Sequence, residues 1–167
     1  MSKSAGYNVT GSRSPRWALW SPMHIKKPDG SSYLRRLRIV ETPWFGLLLH
    51  HIDGPDTEAD PHDHPWWFAS MVLRGGYTEA VWPLASLQFG KVRNRWPRWS
   101  IHTMPLESAH RITKIQPDTI TLVVHGKRVK NWGFWTWGNN PGSDLRSWIP
   151  WEAYGALYPV GDASGPL

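Results

Sequence analysis

The chain has 167 residues, a formal net charge of +6, 13 tryptophans and no cysteine. This length suits a single domain with a sizeable core, and the absence of cysteine excludes disulfides and thiolate metal sites. No apolar run approaches transmembrane length, and the first residues lack the apolar core of a signal peptide. Together these features favour a cytoplasmic protein with no membrane partner.

The basic charge and the many aromatic side chains suit nucleic-acid binding, because phosphates attract Lys and Arg while bases stack on rings. The favoured interpretation is nevertheless a basic surface around a barrel filled by tryptophan, since large rings fill a core economically. Any nucleic-acid binding is expected to be weak and salt-sensitive, and a solvated edge strand is the competing interpretation of the basic stretch concerned. Its candidate residues are Lys91, Arg93, Arg95 and Arg98.

The elements predicted along the chain are short strands separated by turns that contain Gly or Pro, without a long helical pattern. Residues 1–16 are predicted to be a flexible arm, residues 17–160 a single β-barrel domain and residues 161–167 a flexible tail. A turn at 139–142 and a short helix at 152–158 follow the last strand. The strands are expected at 33–41, 44–52, 68–73, 80–82, 86–89, 91–99, 120–125 and 129–137.

The strand predicted at 44–52 carries His50 and His51 on opposite faces, so that one of them points inward. An inward histidine is most often a hydrogen-bonded core residue. Near a metal site it would instead support a ligand or contact a substrate, and His50 is therefore a candidate for substrate binding.

His62 and His64 are the residues around which the rest of the chain is organised. On a strand, two histidines separated by one residue point to the same face, where they can hold one metal ion at bond lengths of ~2.0–2.1 Å. An acidic loop at 53–61 leads into them. Its neighbouring carboxylates, Asp60 or Asp63, are candidates to orient a ligand imidazole.

The Arg-Gly-Gly sequence that follows residue 73 predicts a tight hairpin. In either register of a two-residue hairpin, Glu79 lies opposite Ser70 or opposite Val72, and those two residues share one face of their strand. The sequence therefore predicts that Glu79 faces the same side as Ser70. Ser70 is a further candidate to hold a metal-binding side chain in place without binding the metal itself.

A third histidine, His110, follows Pro105 by five residues. Together with His62 and His64, these residues resemble the two metal-binding motifs of the cupins, which are small β-barrel proteins. More narrowly, the chain is similar to uncharacterised single-domain cupin-like proteins of phages and bacteria. The shared motifs are His-x-His-Pro-Trp, Arg-Gly-Gly-Tyr-x-Glu, Ala-His-Arg-Ile and Trp-Gly-Phe, and the resemblance covers roughly residues 33–151.

The resemblance implies an all-β fold, a cupin-type double-stranded β-helix or jelly-roll barrel, with the short C-terminal helix and the flexible N-terminal arm added to it. It also implies one divalent metal ion, chosen from Fe, Mn, Zn, Ni and Co, bound by His62, His64 and His110. The usual cupin glutamate would fall at 68–70, where no carboxylate stands. Glu79 is therefore predicted to be the fourth ligand, and the alternative is that it faces solvent or pairs with an arginine.

The predicted function is that of a metal-dependent, oxygenase-type enzyme acting on a small polar or anionic substrate, in the cytoplasm of a bacterium or of a phage-infected host. The alternative is a non-catalytic cupin that binds a protein or nucleic acid, with a phage assembly role left open. A homodimer is compatible with either function. The candidates for substrate binding are Arg74, Arg111, Tyr77 and His50, with Arg36 as a further arginine able to hold an anion.

Overall fold

The computed structural model describes residues 8–10, 17–27, 29–58, 60–84, 92–137 and 146–157. These residues form two antiparallel β-sheets and one short helix, which confirms the predicted all-β fold. The elements are β1 (Asn8–Thr10), β2 (Ala18–Lys26), β3 (Ser32–Glu41), β4 (Gly46–Ile52), β5 (His62–Asp63), β6 (Phe68–Arg74), β7 (Gly76–Pro83), β8 (Val92–Pro97), β9 (Ile101–Met104), β10 (Ser108–Ile115), β11 (Thr119–His125), β12 (Gly133–Trp137), β13 (Arg146–Pro150) and α1 (Trp151–Leu157).

The chain passes back and forth between the two sheets as in a jelly roll. Sheet A has the strand order β1-β2-β3-β4-β11-β6-β9, and sheet B has the order β13-β12-β5-β10-β7-β8. From β4 to β12, each strand lies in the sheet opposite to that of the preceding strand, except where β7 and β8 form a hairpin within sheet B. This order makes a two-layer barrel whose inner faces pack against each other.

Strand β11 illustrates why these segments are strands. It is rich in β-branched residues, and its alternate side chains Thr121, Val123 and His125 are buried while Val124 is exposed. Such alternation is what a strand needs when one of its faces lines a core. The same alternation is present on β6 and β9 and directs their buried side chains into the barrel.

Strands β6 and β7 are joined by Gly75 alone, yet they do not form the predicted hairpin. Strand β6 pairs with β9 and β11 in sheet A, whereas β7 pairs with β8 and β10 in sheet B. Gly75 has a φ of +68°, and the backbone crosses between the sheets there instead of turning back within one. The hairpin prediction is wrong, but the predicted facing is right, because Glu79 and Ser70 are both buried between the sheets.

The barrel interior contains two apolar clusters and a set of buried polar side chains. The first cluster contains Leu34, Ile52, Val72, Tyr77 and Ile112, and the second contains Leu48, Phe68, Met104 and Val123. Each cluster takes residues from several strands, and the first joins both sheets. The buried polar or charged side chains include Arg38, Ser70, Glu79, His102, His110, Thr121 and His125.

Several other predicted elements can be compared with the structure. Asn8–Thr10 pairs with β2 as strand β1, inside the segment predicted to be a flexible arm. The helix predicted at 152–158 is present as α1, which begins at Trp151. The strand predicted at 86–89 and the turn predicted at 139–142 lie outside the described residues. Among the residues described, no helix is long and apolar enough to cross a membrane.

Replacing Gly75 by alanine is expected to lower the free energy of unfolding by about 1–3 kcal/mol, because a side chain is strained at positive φ. The new Cβ would also lie 2.9 Å from Cα of Thr119. Urea unfolding followed by tryptophan fluorescence measures the loss. Gly30→Ala is the matched control, since Gly30 has a φ of +87° and a Cβ added there would have nothing within 4 Å. An equal loss in the two variants would contradict the close approach at Gly75.

Candidate metal centre

Three histidines of the sheet B side meet at one point of the barrel. His62 lies in β5, His64 follows it by two residues, and His110 lies in β10. Strands β5 and β10 pair with His62 directly opposite His110, which joins residues that are far apart in the sequence. One ring nitrogen of each histidine lies within 4.8 Å of those of the other two. The three predicted histidines therefore form a group that can hold a metal ion.

The geometry of this histidine group suits a metal ion. Nε2 of His64 and Nε2 of His110 are 2.7 Å apart. Two nitrogens bound at ~2.0–2.1 Å and at right angles around one ion lie about 2.9 Å apart, so small side-chain movements are sufficient. The ring of His62 lies 5.2 Å from that of His64 and 4.7 Å from that of His110, centroid to centroid. His62 and His64 are partly exposed, which leaves the group accessible from solvent.

Glu79 lies behind His110 and not among the three converging nitrogens. Its Oε2 accepts a hydrogen bond from Nδ1 of His110 at 2.7 Å, and its Oε1 accepts one from Nε1 of Trp96 at 2.6 Å. A carboxylate on the far ring nitrogen orients the imidazole and leaves Nε2 for a metal. This geometry gives Glu79 the role of orienting His110, in place of the predicted role of fourth ligand.

Asp56 is a candidate to orient the ring of His62, and the sequence analysis missed it. Its side chain is only 2% exposed, and Oδ2 lies 3.8 Å from Nδ1 of His62. The same oxygen accepts a hydrogen bond from the backbone N of Ile112 at 2.6 Å, and the hydroxyl of Tyr33 donates to Oδ1. Asp56 thus fixes the acidic loop against β10 beside His62. The acidic composition of the loop was the sole sequence signal for it.

Asp60 and Asp63, which were predicted to orient an imidazole, have other contacts. Asp60 accepts a hydrogen bond from the hydroxyl of Tyr154 at 2.9 Å. Asp63 accepts hydrogen bonds from Nζ of Lys130 at 2.7 Å and from the backbone N of Gly133 at 2.8 Å. Because alternate residues of β5 point to opposite faces, Asp63 points away from the side of His62. These two carboxylates tie β5 and its loop to the C-terminal elements.

No family model matches the chain, and no curated protein sequence matches it. Several solved structures are similar to it. A variant of Streptomyces PAC13 with bound uridine has a TM-score of 0.51 and 6% identity, covering 75% of this chain and 93% of that one. A cupin 2 conserved barrel domain protein from Rhodopseudomonas palustris has a TM-score of 0.48 and 14% identity, covering 78% and 79%. An RmlC-like cupin from Shewanella frigidimarina has a TM-score of 0.43 and 14% identity, covering 58% and 78%.

The fold is that of a cupin barrel. The alternation of strands between two antiparallel sheets is the observation that decides it, and the Streptomyces PAC13 variant has a similar overall fold. At identities this low the likeness extends to the fold alone. What the cupin barrel of this chain does has to be derived from its own side chains.

The sequence analysis did not single out His102, a buried histidine of the cupin barrel. Its Nε2 lies 3.0 Å from the hydroxyl of Tyr77 and 3.9 Å from Oε1 of Glu79, and its ring stacks on Trp96 at 4.3 Å. Tyr77, a predicted substrate residue, also has a hydrogen bond to Ser70. Tyr77 and Ser70 therefore belong to a polar network behind Glu79, on the inner side of the barrel.

The other predicted substrate residues are divided between the inside and the outside of the barrel. Arg74 pairs with Asp118 at 3.2 Å, and more than half of each side chain is exposed, so Arg74 is a surface residue. Arg111 follows His110 along β10 and therefore points to the opposite face of sheet B. His50 faces inward, on the strand face of the buried residues Leu48 and Ile52.

Two of the four basic residues considered for nucleic-acid binding have described side chains. Arg95 and Arg98 are exposed, and the guanidinium of Arg98 lies 4.6 Å from the ring of Trp99. Lys91 and the side chain of Arg93 lie outside the described residues. Nucleic-acid binding at this stretch stays a prediction.

Burial and neighbouring charges set the pKa values of the three histidines. It lowers the pKa of His62 to about 4 and the pKa of His64 well below its usual value, so both rings are neutral. Burial is the largest single influence on His110 and acts in the same direction, but the hydrogen bond to Glu79 together with the charges of Glu79 and Asp56 outweighs it and raises the pKa of His110. Nδ1 of His110 donates to Glu79, and one of the two Nε2 atoms of His64 and His110 donates to the other, which accounts for their short distance.

Glu79→Gln is expected to weaken metal binding by about 10- to 100-fold without abolishing it, because it removes an orienting carboxylate and not a ligand. His64→Ala is expected to abolish stoichiometric binding. Competition between the protein and a coloured chelator for Co²⁺ or Zn²⁺ measures both affinities. His51→Ala is the control, since His51 lies on the outer face of β4. If Glu79→Gln loses the metal as completely as His64→Ala does, Glu79 is a ligand after all.

Metal affinity is expected to fall as the pH drops below the raised pKa of His110, because a proton and the metal compete for Nε2. Below that pKa the affinity should fall about tenfold per pH unit, and above it the affinity should be constant. Calorimetry in buffers of different ionisation enthalpy measures the proton released on binding. In Glu79→Gln the fall should begin at lower pH, since the proton on His110 has lost its charged acceptor. Affinity that is constant down to about pH 5 would show that His110 holds no such proton.

Proposed function

We propose that this chain is a metal-dependent enzyme of the cupin fold, of the oxygenase type, acting on a small polar or anionic substrate. The observation that carries the proposal is the convergence of His62, His64 and His110 in a partly exposed group that, among the described residues, includes no carboxylate. Three imidazoles leave coordination positions of a single divalent Fe, Mn, Zn, Ni or Co ion open for other ligands. Such an ion supplies Lewis-acid, water-activating or dioxygen-binding chemistry.

The residues around the group hold its histidines ready for a metal. The ring of His110 is fixed at both nitrogens, by Glu79 at Nδ1 and by His64 at Nε2. Phe68 packs edge-on against His64, with ring centroids 4.9 Å apart. Preorganised ligands of this kind lose little entropy on binding and keep the geometry of the site constant.

Tyr77, His102 and Glu79 form a polar network next to the histidine group, and each proton of this network is held at a defined atom. Burial, with the charge of Glu79 acting in the same sense, raises the pKa of Tyr77, so its hydroxyl stays protonated. The hydroxyl lies against Nε2 of His102, which lies beside Glu79. The network therefore maintains one ionised carboxylate, that of Glu79, which lies against the proton of His110.

The test is the metal content of protein purified without chelators and without a histidine tag, measured by mass spectrometry. A transition metal close to one per chain in the wild type, and its loss in His64→Ala, is the expected result. The wild type should also melt at higher temperature with metal than without it, because a ligand of the native state stabilises that state by mass action. His51→Ala should behave as the wild type. Metal-free protein of unchanged stability would contradict the proposal.

A second candidate function, that of a non-catalytic binding module, is favoured by three exposed tryptophans. Trp17, Trp20 and Trp44 are 61%, 64% and 61% exposed, and the rings of Trp17 and Trp44 contact edge-to-face at 5.6 Å. Exposed aromatic groups of this size often mark protein–protein contacts, and a second copy of the chain is the simplest partner. In that case self-association, measured by sedimentation, weakens in Trp44→Ala while removal of metal has no effect on it.

A further inference from the structure

Arg36 differs from the other arginines whose contacts have been described, because it points into the barrel and has no carboxylate partner there. Arg35 pairs with Asp53 at 2.6 Å and Arg74 pairs with Asp118 at 3.2 Å, both at the surface. Within the described part of the chain, Arg36 forms no ion pair, and its one hydrogen bond runs from Nε to Nε2 of His50 at 2.9 Å. The charge of Glu41 acts on Arg36 from beyond ion-pair distance, and the carboxylate of Glu41 lies 3.2 Å from Nε2 of His125. A half-buried guanidinium with no carboxylate in direct contact is unfavourable, so this position is suited to an anionic ligand.

The strand register places Arg36 on the inner face of sheet A. Arg36 is opposite His50 in the pairing of β3 with β4, and it shares its strand face with the buried residues Leu34 and Arg38. His110 is buried on the inner face of sheet B, which packs against the inner face of sheet A. Arg36 and the histidine group therefore face the same interior.

His50 defines which part of the guanidinium is available to a ligand. Burial and the neighbouring charge of Arg36 keep the pKa of His50 well below its usual value, so the ring is neutral. Its Nε2 accepts the hydrogen bond from Arg36, which leaves the ring proton on Nδ1 as a second donor. The two terminal nitrogens of Arg36 remain as a planar fork, whose geometry matches the two oxygens of a carboxylate.

We infer that Arg36 and His50 form a carboxylate-binding subsite, and that the substrate is a small organic acid held with its carboxylate on Arg36 and its other polar groups towards His62, His64 and His110. The placement of the other polar groups towards the three histidines rests on the proposed metal-dependent function. The carboxylate subsite itself depends on Arg36 and His50 alone. A phosphate or sulfate group could also place two oxygens on the fork, but its remaining oxygens would need donors beyond those of Arg36 and His50.

The experiment titrates lactate into the protein, both loaded with Zn²⁺ and freed of metal, and follows binding by calorimetry. Lactamide, which has the same size and no charge, is the ligand control, and inorganic phosphate is the competing anion. Lactate should bind more tightly than either. Arg36→Gln should weaken lactate binding by about 10- to 100-fold, the usual effect of losing a charged hydrogen-bond partner. Arg36→Lys should retain part of the affinity, because it keeps the charge without the fork.

Arg35→Gln is the matched control, since it removes the adjacent arginine from the outer face of the same strand and should leave lactate binding unchanged. Metal content should be the same in all these variants. Equal affinity of the wild type for lactate and lactamide, or equal affinity of Arg36→Gln and the wild type for lactate, would overturn the inference, as would tighter binding of phosphate. If no metal binds but lactate binding still depends on Arg36, the proposed function fails and the carboxylate subsite stands.

Discussion

The carboxylate of Glu79 is fully enclosed between the two sheets, and the arrangement of its neighbours depends on it. An ionised carboxylate in a barrel interior requires strong donors, and Glu79 has two, Nδ1 of His110 and Nε1 of Trp96. These donors belong to β10 and β8, the two strands that flank β7 in sheet B. One side chain therefore connects three adjacent strands. It also fixes the ring orientation on which any metal site at His110 depends.

The sequence predicted what local periodicity determines. Alternation along β6 places Ser70 and Val72 on one face, which is buried. The facing of Glu79 was predicted from pairing in a hairpin that is absent, although Glu79 is buried between the sheets as Ser70 is. Local periodicity does not determine the sheet to which each strand belongs. That sheet depends on the left-handed backbone of Gly75 and on its contact with Thr119 from β11, which no local pattern encodes. Strand β2 was missed for a related reason, because Pro22 argues against a strand until pairing with β3 outweighs it.

The same division applies to the candidate site. The spacing of His62 and His64, together with the motif around His110, was sufficient to identify the three histidines that converge. The roles of the carboxylates were not predictable, because they depend on how far a side chain reaches across the barrel and on how a loop packs. Glu79 reaches the far nitrogen of His110, and Asp56 reaches β10 from a loop that carries several other acidic residues. In β3, alternation separates Arg36 and Arg38 from Leu37 and Ile39, but it does not predict that the face with the arginines points into the barrel.

The pairing of β5 with β10 also has a consequence for the order in which the molecule assembles. His64 and His110 are 46 residues apart, and the segments between them contribute strands to both sheets. A chain emerging from the ribosome therefore has no complete histidine group until β10 has been made and the barrel has closed around it. An ion that requires all three rings binds only at that late stage. Its stabilising effect would then appear as slower opening of the finished barrel, and the rate at which the barrel first forms would hardly change.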